Sequence, residues 1–231
     1  MIHQIVGSDR LPFWIPDEPN IVTSAIGPGT WWETPLPLFD RVCRPGYWTV
    51  EVGAYIGDHT IALAARGPVV AIEPQPLLWA LLGLNLALRP RPYPWRTIRT
   101  ACYSHPVSLE LAPGWDEANS PSSAYHVTPD GPVAALPLWA LDIPRPLGFL
   151  KIDAQGCDLH VLRGARKMIV DDRPIILCEY YKDLAELHGD TARAYTDWFL
   201  RHDYALHPYS GDNLLGVPME IDAAPYLETI R

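Results

Sequence analysis

At 231 residues, 48% of them hydrophobic, the chain is long enough for one well-buried core. No apolar run reaches the ~18 residues of a membrane-spanning helix, and residues 1–10 lack the basic start and apolar stretch of a secretory signal, so no membrane is expected and the expected setting is cytoplasmic. The formal net charge of −9 speaks against nucleic acid as a partner, because gripping a phosphate backbone draws on clustered Lys and Arg.

Residues 1–45 are rich in Pro and Trp and show no period; they are expected to pack on the core as an irregular segment, with one short helix near Leu36–Val42. From residue 46 to 231 strand and helix patterns alternate, which reads as one domain. Residues 47–53 form a buried strand, 58–66 a helix, and 67–73 a second strand. Residues 76–88 form a strongly apolar helix opened by a proline at a tolerated position. The basic stretch 89–99, with three prolines, reads as a solvated connection. A third strand spans 95–102, and 103–141 reads as a loop-and-hairpin region holding 119–123. Further strands are expected at 148–153 and 174–179, with helices at 158–170 and 190–202. Residues 204–209 and 219–222 close the sheet as an antiparallel pair. The alternation implies an α/β fold, a mostly parallel sheet with helices on both faces.

In such sheets ligands bind beyond the carboxyl ends of the strands. The first such end carries Glu51-Val-Gly53-Ala54-Tyr55-Ile-Gly57, between a strand and a helix. Twenty residues past Gly53 stands Glu73, again at a strand end, where a carboxylate can accept from both hydroxyls of a ribose. A dinucleotide fingerprint wants glycine where this chain has Tyr55 and Asp58, and no GxxxxGK[ST] loop is present. A ligand with a ribose and a cationic amino-acid end, S-adenosylmethionine, fits what remains. A purely structural reading stays open beside it: Gly53 and Gly57 for close packing, Asp58 and Glu73 as helix caps.

Several ordered segments resemble the FkbM family of methyltransferases. They are Val50-Glu-Val-Gly-Ala-Tyr-Ile-Gly-Asp-His-Thr60, Ala71-Ile-Glu-Pro-Gln-Pro76 and Leu81-Leu-Gly-Leu-Asn-Leu-Ala-Leu88, then Ala140-Leu-Asp142, Phe149-Leu-Lys-Ile-Asp-Ala-Gln-Gly156 and Leu159-His-Val-Leu-Arg-Gly-Ala165, with Glu179 ending the fifth strand. The resemblance implies a Rossmann-like class I methyltransferase fold with a seven-stranded sheet. It implies that the turn of Glu51, Gly53, Ala54, Tyr55 and Gly57, together with Thr60, holds the methionine part of the cofactor and Glu73 its ribose. Thr100 and Ala101 would border the adenine and Asp153 the sulfonium, with His59 and Pro74 counted among the cofactor contacts. The chain departs from the family at Tyr55, where Asn is common, at Gln155, where an acidic residue is common, and at Pro121 in the family's small-residue loop.

Methyl transfer to a hydroxyl needs alignment and a base that takes its proton. Asp153 and Glu179, at strand ends, are the candidate catalytic groups; His59, His105 and His126 are weaker ones, and His160 reads as a packed or surface residue. No metal is expected, since Asp142, Asp153 and Glu179 lie far apart in sequence and Cys43, Cys102, Cys157 and Cys178 are scattered without CxxC spacing, which also argues against disulfides. The substrate class implied by the resemblance is a hydroxyl of a sugar or other small natural product. N- or carboxyl-methylation of a small molecule or peptide, and a cofactor-binding module without catalysis, stay open.

Overall fold

The computed structural model describes residues 2–6, 12–16, 36–90, 92–113, 125–129 and 131–229. Within 1–45 the chain is more regular than its composition suggests. Strands β1 (Ile2–Val6) and β2 (Pro12–Pro16) pair antiparallel, and helix α1 covers Leu36–Val42 as expected. The alternation then runs β3 (Trp48–Val52), α2 (Asp58–Ala64), β4 (Val69–Ile72), α3 (Pro76–Ala87), β5 (Trp95–Ile98). Beyond it come β6 (Ala101–Cys102), β7 (Val107–Pro113), β8 (Tyr125–Pro129), β9 (Val133–Leu136), β10 (Leu147–Ile152) and α4 (Asp158–Asp172). The chain ends with β11 (Ile175–Glu179), α5 (Lys182–Leu187), α6 (Ala192–Arg201), β12 (Tyr204–Pro208), β13 (Asn213–Pro218) and α7 (Ala224–Leu227).

Seven strands form the main sheet in the order β12-β13-β11-β10-β3-β4-β5. The five from β11 to β5 are parallel, while β13 runs antiparallel to both neighbours. The central strands are buried on both faces, which is why β4 reads as an unbroken Val-Val-Ala-Ile run. Two apolar clusters sandwich the sheet: one gathers α1, α2, α3 and β2 around Phe39, Leu63, Leu82 and Phe149, the other gathers α4 and α6 around Leu150, Leu162, Ile169 and Phe199. No helix among the described residues is long and apolar enough to cross a membrane.

Three features differ from the sequence-based expectations. The strand expected over 95–102 breaks at Arg99-Thr100: β5 stays in the main sheet, and β6 joins a second sheet ordered β6-β9-β7-β8 that occupies the expected hairpin region. Residues 119–123 lie outside the described residues. The partner of β12 is β13, not 219–222; Gly216 interrupts its apolar pattern because a Cβ there would overlap the Phe199 ring. Lastly, Arg89 is no solvated residue. It is 6% exposed, its Nη1 donates to the carbonyls of Pro12 and Asn85, and its guanidinium lies over the Phe13 ring.

Candidate functional site

The site lies where the carboxyl ends of β4, β3, β10 and β11 come level. Val52 pairs with Ile72 and with Ile152, and Lys151 with Leu177, so the register brings Glu73, Gly53, Asp153 and Glu179 into one row just past the strands. Backbone bonds hold the row: Gly53 N donates to Ile72 O at 3.0 Å and Asp153 N to Val52 O at 3.0 Å. Gly53 has φ 79°, and a Cβ there would overlap the Asp153 carbonyl oxygen, so only glycine brings these two strand ends this close. Tyr55 (φ 49°) and Gly57 (φ 91°) complete a left-handed turn into α2.

A cavity of about 500 Å³ opens over this row. Of the cofactor residues expected from sequence, Gly53, Tyr55, His59, Glu73, Pro74, Thr100, Ala101 and Asp153 line it. Glu51, Ala54, Gly57 and Thr60 are buried and not among its lining residues. The reason is a buried pair that the sequence reading missed. Lys151 sits across from Glu51 in register, its Nζ 3.2 Å from Glu51 Oε1, while the Thr60 hydroxyl donates to Glu51 Oε2 at 2.5 Å. Burial pushes the Glu51 carboxyl up to about 7 against the pull of Lys151 and Thr60. Burial alone would lower the Lys151 ammonium, but Glu51, Asp153 and Asp58 outweigh it and hold Lys151 charged. Glu51 and Thr60 therefore support the wall, and Lys151 is the member of the group that reaches it.

Glu73 is 4% exposed and reaches two loops at once: its Oε2 accepts from Tyr55 N at 3.0 Å and its Oε1 from Gln75 N at 2.9 Å. Glu73 bridges these loops rather than capping α3, whose N-cap position is Gln75, and a carboxylate has further lone pairs for a diol. Burial pushes this carboxyl up to about 8.

The second half of the cavity is acidic. Asp153, Glu179 and Asp212 line it with Gln155, whose Nε2 donates to Asp153 Oδ1 at 2.8 Å. The Asp153 charge, then burial, pushes the Glu179 carboxyl up to about 9. Asp158, buried at the start of α4, ties the two strand ends: its Oδ2 accepts from Ala154 N and its Oδ1 from Glu179 N. Asp153 does not cap α4, whose N-cap position is Cys157.

The histidines separate. His59 lines the cavity, and burial lowers its imidazole to about 4. His105 is exposed beside Ser104, away from the cavity wall, and the side chain of His126 lies outside the described residues. His160 stacks on Tyr103 at a ring separation of 4.0 Å and hydrogen-bonds Ser104. Of the segments without readable motifs, 103–135 contributes Leu109 and Leu111, and the β12–β13 turn contributes Tyr209, Ser210 and Asn213. No described residue of 1–45 reaches the cavity.

Comparisons with known proteins bear on this site. No curated protein matches the sequence. Among solved structures, the chain is similar to methyltransferase FkbM from Methylobacillus flagellatus KT, with 18% identity and a TM-score of 0.50 over 74% of this chain. The match spans 43% of that structure, less than half its length. A methyltransferase-like protein of Streptococcus mutans, solved in complex with SAH, matches at 8% identity over 78% of this chain and 94% of that one, TM-score 0.48. An rRNA methylase from Streptococcus thermophilus matches at 11% identity over 87% and 96% of the two chains, TM-score 0.45. These likenesses concern the fold. The model of the methyltransferase FkbM domain matches residues 51–206, from the carboxylate behind the glycine turn to the sixth strand of the main sheet in chain order, and the chain belongs to the FkbM methyltransferase family.

Proposed function

We propose that the chain is an S-adenosylmethionine-dependent methyltransferase acting on a hydroxyl of a small molecule, a sugar or other natural product. The observation that carries the reading is the row Glu73, Gly53, Asp153, Glu179 beneath one cavity. The residues present fit the cofactor. Gly53 leaves room at the closest approach of two strand ends, and Glu73 offers a buried acceptor at ribose spacing. The apolar Leu78, Leu109 and Leu111 suit an adenine, and the acidic end suits a sulfonium.

When bound, S-adenosylmethionine supplies the activated methyl group. The protein's own task is alignment: the glycine turn, Glu73 and the Thr100-Ala101 segment orient one reactant, and the acidic end receives the other. Asp153 is the base we assign to the acceptor hydroxyl, because it stands in the row beside the glycine turn and is 38% exposed to the cavity side. The carboxylates of Asp153 and Asp212 on this wall disfavour anionic acceptors, which supports a neutral hydroxylated molecule over a phosphate-bearing polymer. Four free thiols suit a reducing, cytoplasmic setting.

Thermal melting with S-adenosylmethionine and with its demethylated product tests the cofactor. At ~100 times the dissociation constant a ligand of the folded state adds ~2.7 kcal/mol, a readily measured shift. No shift with either compound overturns the reading. Methyl transfer to a panel of hydroxylated sugars and natural products then tests the acceptor, and turnover of amines or carboxylates alone replaces it.

A further inference from the structure

We propose that Gln155 is a positioning residue: its side-chain amide holds the Asp153 carboxylate aimed beside Glu179, and the proton of the pair stays on Glu179. The placement is geometric. Asp153 and Glu179 stand level on adjacent parallel strands and line the same cavity. Two carboxylates so placed disfavour double ionisation, so one of them retains a proton into the neutral range. The donors around them are lopsided. Asp153 has the Gln155 amide 2.8 Å from Oδ1 and the Lys151 ammonium 4.0 Å from Oδ2. No described side-chain donor reaches the Glu179 carboxylate, and Asp158 takes only its backbone N–H.

The backbone explains how Gln155 reaches back. Its φ of 51° is left-handed, a conformation uncommon for a residue with a side chain, and Gly156 follows at φ 93°. At Gly156 a Cβ would press on Leu184, so packing of α5 holds the bend that folds the amide onto Asp153. A glutamate at 155 would set a third charge against Asp153; an amide supplies a donor instead.

Other charged groups facing Asp153 come from every element around it. Lys151 stands on its own strand with Glu51 behind it, Asp58 and His59 come from α2, and Glu73 from the end of β4. Asp158 begins α4, Glu179 ends β11, and Asp212 lies beyond Glu179. Of these only Lys151 is a fixed cation, and Glu51 already engages it. Gln155 is therefore the donor committed to Asp153 alone.

The catalytic meaning of this arrangement rests on the reading of Asp153 as base; the position of the proton does not. Carbon-13 spectra of protein labelled at Asp Cγ and Glu Cδ, assigned with Asp153→Asn and Glu179→Gln, follow both carboxyls during a pH titration. In the wild type, the step near pH 9 is expected on Glu179. In Gln155→Ala, where the amide no longer holds the Asp153 carboxylate beside it, the Glu179 step is expected to fall by about one unit. Gln155→Asn, whose shorter amide falls short of Asp153, serves if the alanine variant does not fold. An alkaline step that Glu179→Gln does not remove, or a Glu179 step unmoved in the folded variant, overturns the proposal. Calorimetry with S-adenosylmethionine on the same samples is independent: absent binding with the expected titration overturns the cofactor reading alone.

Discussion

Lys151 and Glu51 face each other across adjacent parallel strands in the sheet interior, ammonium 3.2 Å from carboxylate, with 6% and 1% of their side chains exposed. The pair stands directly beneath the row of strand ends that carries the site, and Thr60 satisfies the second carboxylate oxygen. Burying both charges is costly, and removing one partner costs more than replacing both. Lys151→Met is therefore expected to lower stability by about 3–5 kcal/mol in urea unfolding, while Lys151→Met with Glu51→Leu recovers a large part. A single substitution within experimental error of the wild type contradicts this account of the wall.

Glu73→Gln keeps the shape of the side chain and leaves one oxygen for the Tyr55 or Gln75 N–H, but gives up one acceptor. Affinity for S-adenosylmethionine by calorimetry is expected to fall about tenfold or more, ~1.4 kcal/mol. Unchanged affinity removes Glu73 from the ribose and leaves it a purely local bridge between two loops.

For Asp153→Asn the expected outcome is a loss of ~10²–10⁴ in kcat at saturating cofactor, the usual contribution of a positioned base. Full activity with unchanged affinity dismisses Asp153 as the base and turns attention to Glu179.

Stability is expected to be greatest in mildly acidic solution. Glu51 and Asp158 are raised to about 7 and Glu73 to about 8 by burial, so each binds its proton more tightly folded than unfolded. Their stabilisation is complete below the ordinary carboxylate range and is lost as pH rises through about 4.5 to 8. His59 and His160 are lowered to about 4 by burial, so their contribution is complete above about 6.5 and is lost as pH falls toward 4. Melting temperatures in the absence of ligand should peak near about pH 5–6 and decline toward pH 9. A monotonic rise from pH 5 to 9 contradicts the burial of these carboxyls.

The glycine turn and Glu73 were legible because their signal is local: a strand end, a helix start and a spacing of twenty residues. Six of the seven main-sheet strands were read from the pattern, and the family resemblance fell on the segment the family model covers. Lys151 was not legible as a site residue, since its partner Glu51 lies a hundred positions away and only strand order brings them together. The second sheet escaped because β6 has two residues and β9 four, too short for a period to show. The short helix α5 and the strand β13 were lost among polar residues and behind Gly216, whose smallness answers Phe199 in another helix. Residues 209–213 enter the cavity as a turn, and turns carry pocket shape without carrying pattern.

Asn85 gives the N-terminal strands a bearing on this turn of the molecule. Its amide nitrogen donates to Trp14 O in β2 and to Ile56 O in the glycine turn, and its oxygen accepts from Trp14 N. One fully engaged side chain thus rivets the β1–β2 pair to the glycine turn beside the cavity. Ordering that loop from within should slow amide exchange at Trp14, and unpeeling the strands should loosen the loop in return, a reciprocity that any linked pair of equilibria obeys.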